Sequence, residues 1–320
     1  MKSNNLKGSL ILTIGSLIWG LAFVVQNDAN TFIKPFAFNA LRSLLGALVI
    51  GVYLIVKKSI THTPVFAGTK EYKKTAIFGS IVCGVFLSLE INFQQLGIAV
   101  YPKGAAVEAR AGFLTALYVI LVPIFSIFFK KKTSPVIWIS VIIATFGVYL
   151  LCLSGGIKGI YLGDVFVFLC AFFCTFHILS VDKFGKIIGG PQLSMLQFIV
   201  CGTISGIISL ITEPDMGLQN IRLALPQILY MGIISSGIAY TLQIIGQKYA
   251  EPAVASISMS LESVFATLGG WIIMGNTLTV RELFGCLLVF VAIITAQLPE
   301  IISKKKGEEI CQANQEEKQL

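Results

Sequence analysis

The sequence predicts an all-α integral membrane protein with ten transmembrane helices, arranged as two inverted five-helix repeats. Three observations lead there: the composition, the recurrence of apolar runs of spanning length, and the placement of the basic residues between them. The 320 residues are 55% hydrophobic and 12% charged, with a mean hydropathy of +0.84. Soluble domains carry about 25% charged residues, so this chain has half the surface a soluble enzyme needs, and far too much apolar mass for a disordered chain. A net charge of +8 raises the question of nucleic acid, but the basic residues sit between hydrophobic runs, and no nucleic-acid partner is expected. Strands are excluded because the runs do not alternate with a period of two, as barrel segments of about ten residues must.

A helix needs about 20 apolar residues to cross the hydrocarbon, and the chain divides in those units. Span 1 (7–26) follows Lys2 and Lys7, contains Trp19, and is too long and too poor in small-x-small sites for a cleaved signal peptide. Span 2 (36–56) opens after Pro35 and carries Arg42 near its outer end, where an ion pair or an interfacial anchor is the expected role. In span 3 (75–98), fifteen uncharged residues precede Glu90, which shares a helical stripe with Gln94 and Gly97. Span 4 (104–129) holds Glu108, Arg110 and Pro123, the proline marking a hinge. Span 5 (134–154) opens at Pro135. Span 6 (160–182) carries Cys170, Cys174 and His177 on one face, an apolar packing surface rather than a metal site because no fourth ligand is identifiable. Span 7 (191–212) starts at Pro191 and contains Gly202 and Gly206, which serve either packing within the chain or a homodimer face. Span 8 (223–248) begins near Pro226 and bears Ser236, Tyr240, Gln243 and Gln247 at helical spacing. Span 9 (252–274) begins at Pro252, with Glu262 beside a hydroxyl stripe of Ser256, Ser260, Ser263 and Thr267. Span 10 (280–299) precedes a polar, unstructured tail (301–320). Proline at span starts costs nothing, because the first N–H groups of a helix lack partners. Cysteines inside apolar runs read as buried hydrophobes, not as a disulfide framework.

Of the 24 Lys and Arg, seventeen fall on one side of this topology and five on the other (Lys34, Lys103, Lys158, Arg222, Arg281), with Arg42 and Arg110 inside spans. The positive-inside rule then makes both termini cytoplasmic, in the cell membrane. Ten spans divide into two fives, and an odd-numbered repeat must insert upside down relative to its twin, an arrangement common in secondary transporters. Gln94, Gly97 and Pro102 echo Gln243, Gly246 and Pro252 in the third helix of each half. The expected units are 1–154, 155–300 and the tail.

The order and spacing of several segments resemble the drug/metabolite transporter superfamily, specifically EamA-type permeases with two tandem EamA domains. The matching stretches are Leu17-Ile-Trp-Gly-Leu-Ala-Phe23, Phe38-Asn-Ala-Leu-Arg42, the run Ala111 to Phe125, Gly163-Asp164, and Ser260-Leu-Glu-Ser-Val-Phe-Ala-Thr-Leu-Gly-Gly270. The resemblance implies a central cavity and export of small metabolites such as amino acids. Two departures stand out: Ser263 replaces a proline common after the glutamate, so the helix distortion that proline brings is not expected, and Asn276 stands where an acidic residue is common.

An ionisable side chain at mid-membrane costs at least about 2.5–3.5 kcal/mol on insertion scales, so each needs a partner or a purpose. The candidates for substrate binding or coupling are Glu90, Gln94, Glu108, Arg110, Tyr240, Gln243, Glu262 and Trp19. The stripes of spans 3 and 8 are expected to face one cavity; the alternative is inter-helix hydrogen bonding that holds the bundle. Glu108 and Arg110, two apart, point to opposite sides of a helix and each must look elsewhere for a partner. A carboxyl group passing between wet and dry surroundings is compatible with proton coupling. No phosphate loop, HExxH or GxSxG motif is present, so no catalytic residues, metal or cofactor are expected. The expected function is secondary transport by alternating access, with a small-molecule substrate and the lipid bilayer as partners. A non-transporting membrane scaffold and a membrane enzyme are the alternatives.

Overall fold

The computed structural model describes residues 4–62, 64–66, 68–102, 107–129, 134–152, 160–274 and 279–317. Outside them lie Lys103, Lys130–Lys132, Lys158, Asn276 and the 154/155 boundary. The side chains of Thr267 and of residues after 299 are also outside the description. The described residues form helices and turns, with no strand among them.

In chain order the helices are α1 (Asn5–Ala29), α2 (Pro35–Thr61), α3 (Lys70–Val100), α4 (Val107–Ala116), α5 (Tyr118–Phe128), α6 (Pro135–Cys152), α7 (Leu162–Phe184) and α8 (Gly190–Thr212). Then come α9 (Leu218–Leu223), α10 (Leu225–Leu229), a π-helical stretch Tyr230–Ala239, α11 (Tyr240–Gln247), α12 (Pro252–Met259), α13 (Leu261–Met274) and α14 (Val280–Glu317). Among the described residues, seven runs are long and apolar enough to cross a membrane: α1, α2, α3, Arg110–Phe128, α7, α8 and Leu225–Gln247. Shorter apolar helical stretches, Pro135–Leu150, Pro252–Ala266 and Leu283–Pro299, fall where the fifth, ninth and tenth spans are expected.

The helix starts follow the sequence. Pro35, Pro191, Pro226 and Pro252 occupy the first two positions of α2, α8, α10 and α12. The start of α2 is also tied from a distance, because the Glu213 carboxylate accepts the backbone N–H groups of Phe36 (3.0 Å) and Ala37 (2.7 Å). A carboxylate at a helix N-terminus satisfies orphan donors and complements the helix dipole.

Three local features differ from the expectation. The interruption in the fourth span is at Leu117, between α4 and α5, and Pro123 lies within α5. The ninth span is broken at Ser260 without any proline. There Ser256, Ser258 and Ser260 donate their hydroxyls to the carbonyls of Ala253 (2.9 Å), Val254 (2.9 Å) and Ile257 (2.7 Å), and such back-bonding bends helices. The backbone of α14 continues to Glu317 where an unstructured tail was expected, its Lys, Glu, Gln and Ala residues being good helix formers.

Among the described residues, large apolar side chains cover the outside, while polar and charged groups are set among the apolar clusters of the interior. Leu48, Val52, Ile55, Ile142, Phe146, Leu210 and Leu287 are exposed, while Arg42, Glu90, Gln197, Gln243 and Glu262 are buried. In water this distribution would be costly; in hydrocarbon it puts lipid against methyl groups and leaves each polar group to find a partner inside. Close crossings depend on glycine. A Cβ at Gly20 would lie 2.6 Å from the Phe265 Cβ and 2.9 Å from the Glu262 carbonyl, and one at Gly46 would lie 2.6 Å from the Ser236 Cβ. Gly202 on α8 meets Leu44 of α2, with Gly206 facing Ala40, so this pair packs within the chain and a homodimer would need another surface.

Candidate transport cavity

The helices surround a partly open cavity lined by Trp19, Ala22, Phe23, Gln26, Arg42, Glu90, Gln94, Thr115, Tyr118, Cys174, Met231, Ser235, Tyr240, Gln243, Met259 and Glu262. Of the expected site residues, it brings together Trp19, Glu90, Gln94, Tyr240, Gln243 and Glu262. They come from α1, α3, α11 and α13, helices that meet around one space because their small residues allow close approach. The π-helical stretch contributes Met231 and Ser235. Its wider turn carries polar side chains past regular α spacing, a feature frequent at functional sites.

The polar groups of the wall are only partly paired. Tyr240 donates its hydroxyl to Glu90 Oε1 at 3.4 Å, and Tyr118 donates to Glu262 Oε1 at 3.2 Å. Gln94 accepts from Gln26 Nε2 (2.9 Å) and donates to Thr115 Oγ1 (3.3 Å). The Trp19 indole packs edge-on against Tyr240, ring centroids 5.0 Å apart. Trp19 Nε1, Arg42 Nη2 and Gln243 Oε1 are buried with no hydrogen-bond partner among the described residues. Such groups are rare in native structures and call for a water, ion or ligand.

Arg42 is the principal correction to the sequence reading. It was expected near the outer end of its helix as an anchor, but it is 2% exposed and faces the cavity. Asn39, one turn earlier, accepts from Arg42 Nε at 2.7 Å and donates to the carbonyl of Ile91 and to Asn92 Oδ1. Asn92 in turn donates to Ser205 Oγ at 2.8 Å. This relay joins α2, α3 and α8 behind the guanidinium and fixes its direction.

Glu108 and Arg110 do not line the cavity. Glu108 accepts from Asn27 Nδ2 at 2.7 Å. Arg110 forms a buried ion pair with Asp164 at the start of α7, its Nε donating to Asp164 Oδ1 at 3.0 Å and its Nη2 to Oδ2. Tyr101 donates to the same carboxylate at 2.7 Å, and the Tyr161 ring lies 4.6 Å from the guanidinium carbon. Burial raises the Tyr101 phenol above its ordinary range, so it remains a proton donor. Distance in sequence hid this partner: Asp164 is 54 residues from Arg110. Gly97 also lies off the cavity, packed on Val167.

Gln26, Arg42, Thr115, Tyr118 and Ser235 in the lining, and Asn39, Asn92 and His177 behind it, are polar groups that the sequence alone did not place at the site. Isolated amides at helical spacing on spans 1, 2 and 3 were the available signal. His177 is fully buried, with Nδ1 2.9 Å from Glu90 Oε2 and Nε2 3.2 Å from Gln197 Oε1.

Comparisons with known proteins give the family and the fold. The profile of the EamA-like transporter family matches residues 6–153 and again 161–296. An uncharacterized transporter of Archaeoglobus fulgidus is 25% identical over 299 residues, covering 92% of this chain and 86% of the relative. Protein PecM of Dickeya dadantii is 25% identical over 294 residues, covering 90% and 92%. A solved crystal structure superposes with a TM-score of 0.71 at 18% identity, covering 91% of this chain and 96% of that one, a likeness of fold. With two family matches that together span most of the sequence, and with apolar helices long enough to cross a membrane, the chain is a multi-pass membrane protein of the EamA-like transporter family.

Proposed function

We propose that this protein is a secondary transporter of small amphipathic metabolites, amino acids among them, working by alternating access to the cavity between two inverted five-helix halves. The observation that carries the reading is the wall itself. A guanidinium (Arg42), two carboxyl groups (Glu90, Glu262) and unpaired indole and amide groups face one space inside an apolar shell. Groups of both signs at that site suit a zwitterion, and Trp19, Phe23 and Tyr240 offer apolar surface to its side chain.

The helix pairing supports two related halves. α2 packs on α8, and α6 on α14. The contact of α3 with α7 is matched by that of α1 with the Leu225–Gln247 run, and the contact of α1 with α13 by that of α7 with α4 and α5. Advancing each span by five maps this pattern onto itself. Both termini are cytoplasmic in this scheme, and the tail lies outside the transport unit.

Counterflow in proteoliposomes tests the reading. Vesicles loaded with unlabelled amino acids are expected to accumulate the matching labelled amino acid transiently and saturably. Absence of flux across a panel of amino acids, amines and carboxylates, with the protein folded, would favour a scaffold; chemical conversion of a panel member in detergent would favour an enzyme.

A further inference from the structure

Arg42 and Arg110 are both buried guanidinium groups, but they differ in what surrounds them. Arg110 is paired with Asp164. Arg42 is 2% exposed, yet no carboxylate among the described residues comes within ion-pair distance of it. Its Nε donates to a neutral amide, Asn39 Oδ1 at 2.7 Å, and its Nη2 has no partner among the described residues. Glu90 acts on it from beyond ion-pair distance, with Oε1 engaged by the Tyr240 hydroxyl. We infer that the Arg42 guanidinium is the seat of a ligand carboxylate, and that the carboxylate is the group the cavity requires, the ammonium of an amino acid being dispensable. The inference rests on the cavity being the ligand site and narrows the ligand class to organic monocarboxylates with an apolar tail, amino acids included.

The argument is one of charge. A carboxyl group in a dry site can take up a proton and become neutral, and each carboxyl of the lining also has a phenol donor, Tyr240 for Glu90 and Tyr118 for Glu262. A guanidinium keeps its charge in any protein environment. Burying a charge without a counter-ion is unfavourable. Of the three ionisable groups facing the cavity, Arg42 alone cannot discharge itself, and an anion brought by the ligand removes that penalty.

The surroundings select the kind of anion. Asn39 occupies Nε, so a ligand meets the guanidinium through its free end, at Nη2. Two carboxyl groups beside one cation repel a dianion such as phosphate, whereas a single carboxylate balances the cation. Ala22, Phe23, Met231 and Met259 complete the wall with apolar surface for a hydrocarbon tail, and the methionines can adapt to its shape. Trp19 Nε1 is a second donor of the lining with no partner among the described residues, so an acidic ligand finds a further N–H there. Gln243 Oε1 is a neutral acceptor, which a ligand amine or a water satisfies equally.

Protection of the full chain against thermal unfolding in detergent tests this without flux. The probes are leucine and phenylalanine, their counterparts without the amine (isocaproate, hydrocinnamate), their counterparts without the carboxylate (isoamylamine, phenethylamine), and inorganic phosphate. In at least one series the amino acid and the carboxylate are expected to raise the unfolding temperature, and the amine and phosphate to leave it unchanged. R42Q is expected to weaken carboxylate binding by about tenfold or more, since a hydrogen bond to a charged group is lost. Its unliganded unfolding temperature should not fall, because an uncompensated charge has been removed. If R42Q does not fold, R42K is read instead: it keeps the charge and should still prefer carboxylate to amine, at lower affinity. Protection by the amines equal to that by the carboxylates, protection that requires the amine, protection by phosphate alone or by nothing in the panel, or undiminished carboxylate protection in folded R42Q would each overturn the inference, even where amino-acid counterflow is found. Carboxylate protection with no counterflow would uphold it and contradict transport instead.

Discussion

Arg42 and Arg110 illustrate how the same residue type takes different roles in one bundle. Arg42 is held by Asn39 and leaves Nη2 toward the cavity. Lysine keeps the charge but has no planar fork to reach Asn39 and a ligand together. R42K is therefore expected to lower amino-acid counterflow by about tenfold, about 1.4 kcal/mol, with an unchanged gel-filtration profile. Arg110, paired with Asp164, has a different job. Removing one partner in D164N leaves the other charge buried, and a cost of about 2 kcal/mol is expected, between the values for exposed and fully buried pairs. A lower unfolding temperature in detergent, with ligand affinity retained, is the outcome to look for. The cavity carboxyl groups and the amides of spans 3 and 8 were legible because a polar residue in an apolar run stands out. Which of them meet was not legible: Glu108 and Arg110 have the same signature as Glu90, and only the fold reveals that their partners are Asn27 and Asp164.

Helix boundaries were largely readable from proline and charge, since five of the starts carry proline in the first two positions. The interruptions were not. Pro123 drew attention to α5, yet the break is at Leu117, and the break at Ser260 comes from serine hydroxyls turned back on their own helix. The π-helical stretch has no sequence mark, because its residues are ordinary for an α-helix and the extra width serves tertiary packing. The crossing of α1 and α13 depends on Gly20, where an added Cβ would meet backbone atoms of Ala266 (2.8 Å) and Glu262 (2.9 Å). G20A is expected to force the helices apart at a cost of about 1–3 kcal/mol. Since Glu262 sits at that crossing, thermal stability and counterflow should fall together; a variant with unchanged stability would place the crossing elsewhere.

At the scale of the whole molecule, composition alone identified the solvent: a chain this poor in charge must bury its polar groups and turn its methyl groups outward, and the exposed leucines, isoleucines and valines do so. The orientation we propose from the basic residues has both termini on the cytoplasmic side. A fluorescent protein fused after Leu320 is expected to fluoresce and a periplasmic phosphatase reporter there to stay inactive; the opposite pair of results would reverse the topology.

The central claim, that the cavity opens in turn to each face, is tested most directly by thiol accessibility at Gln94. In a background lacking the seven native cysteines, Q94C should react with a membrane-impermeant maleimide in both right-side-out and inverted vesicles, and saturating amino acid should slow both reactions. Reaction from neither face, or from one face only under every condition, would contradict alternating access.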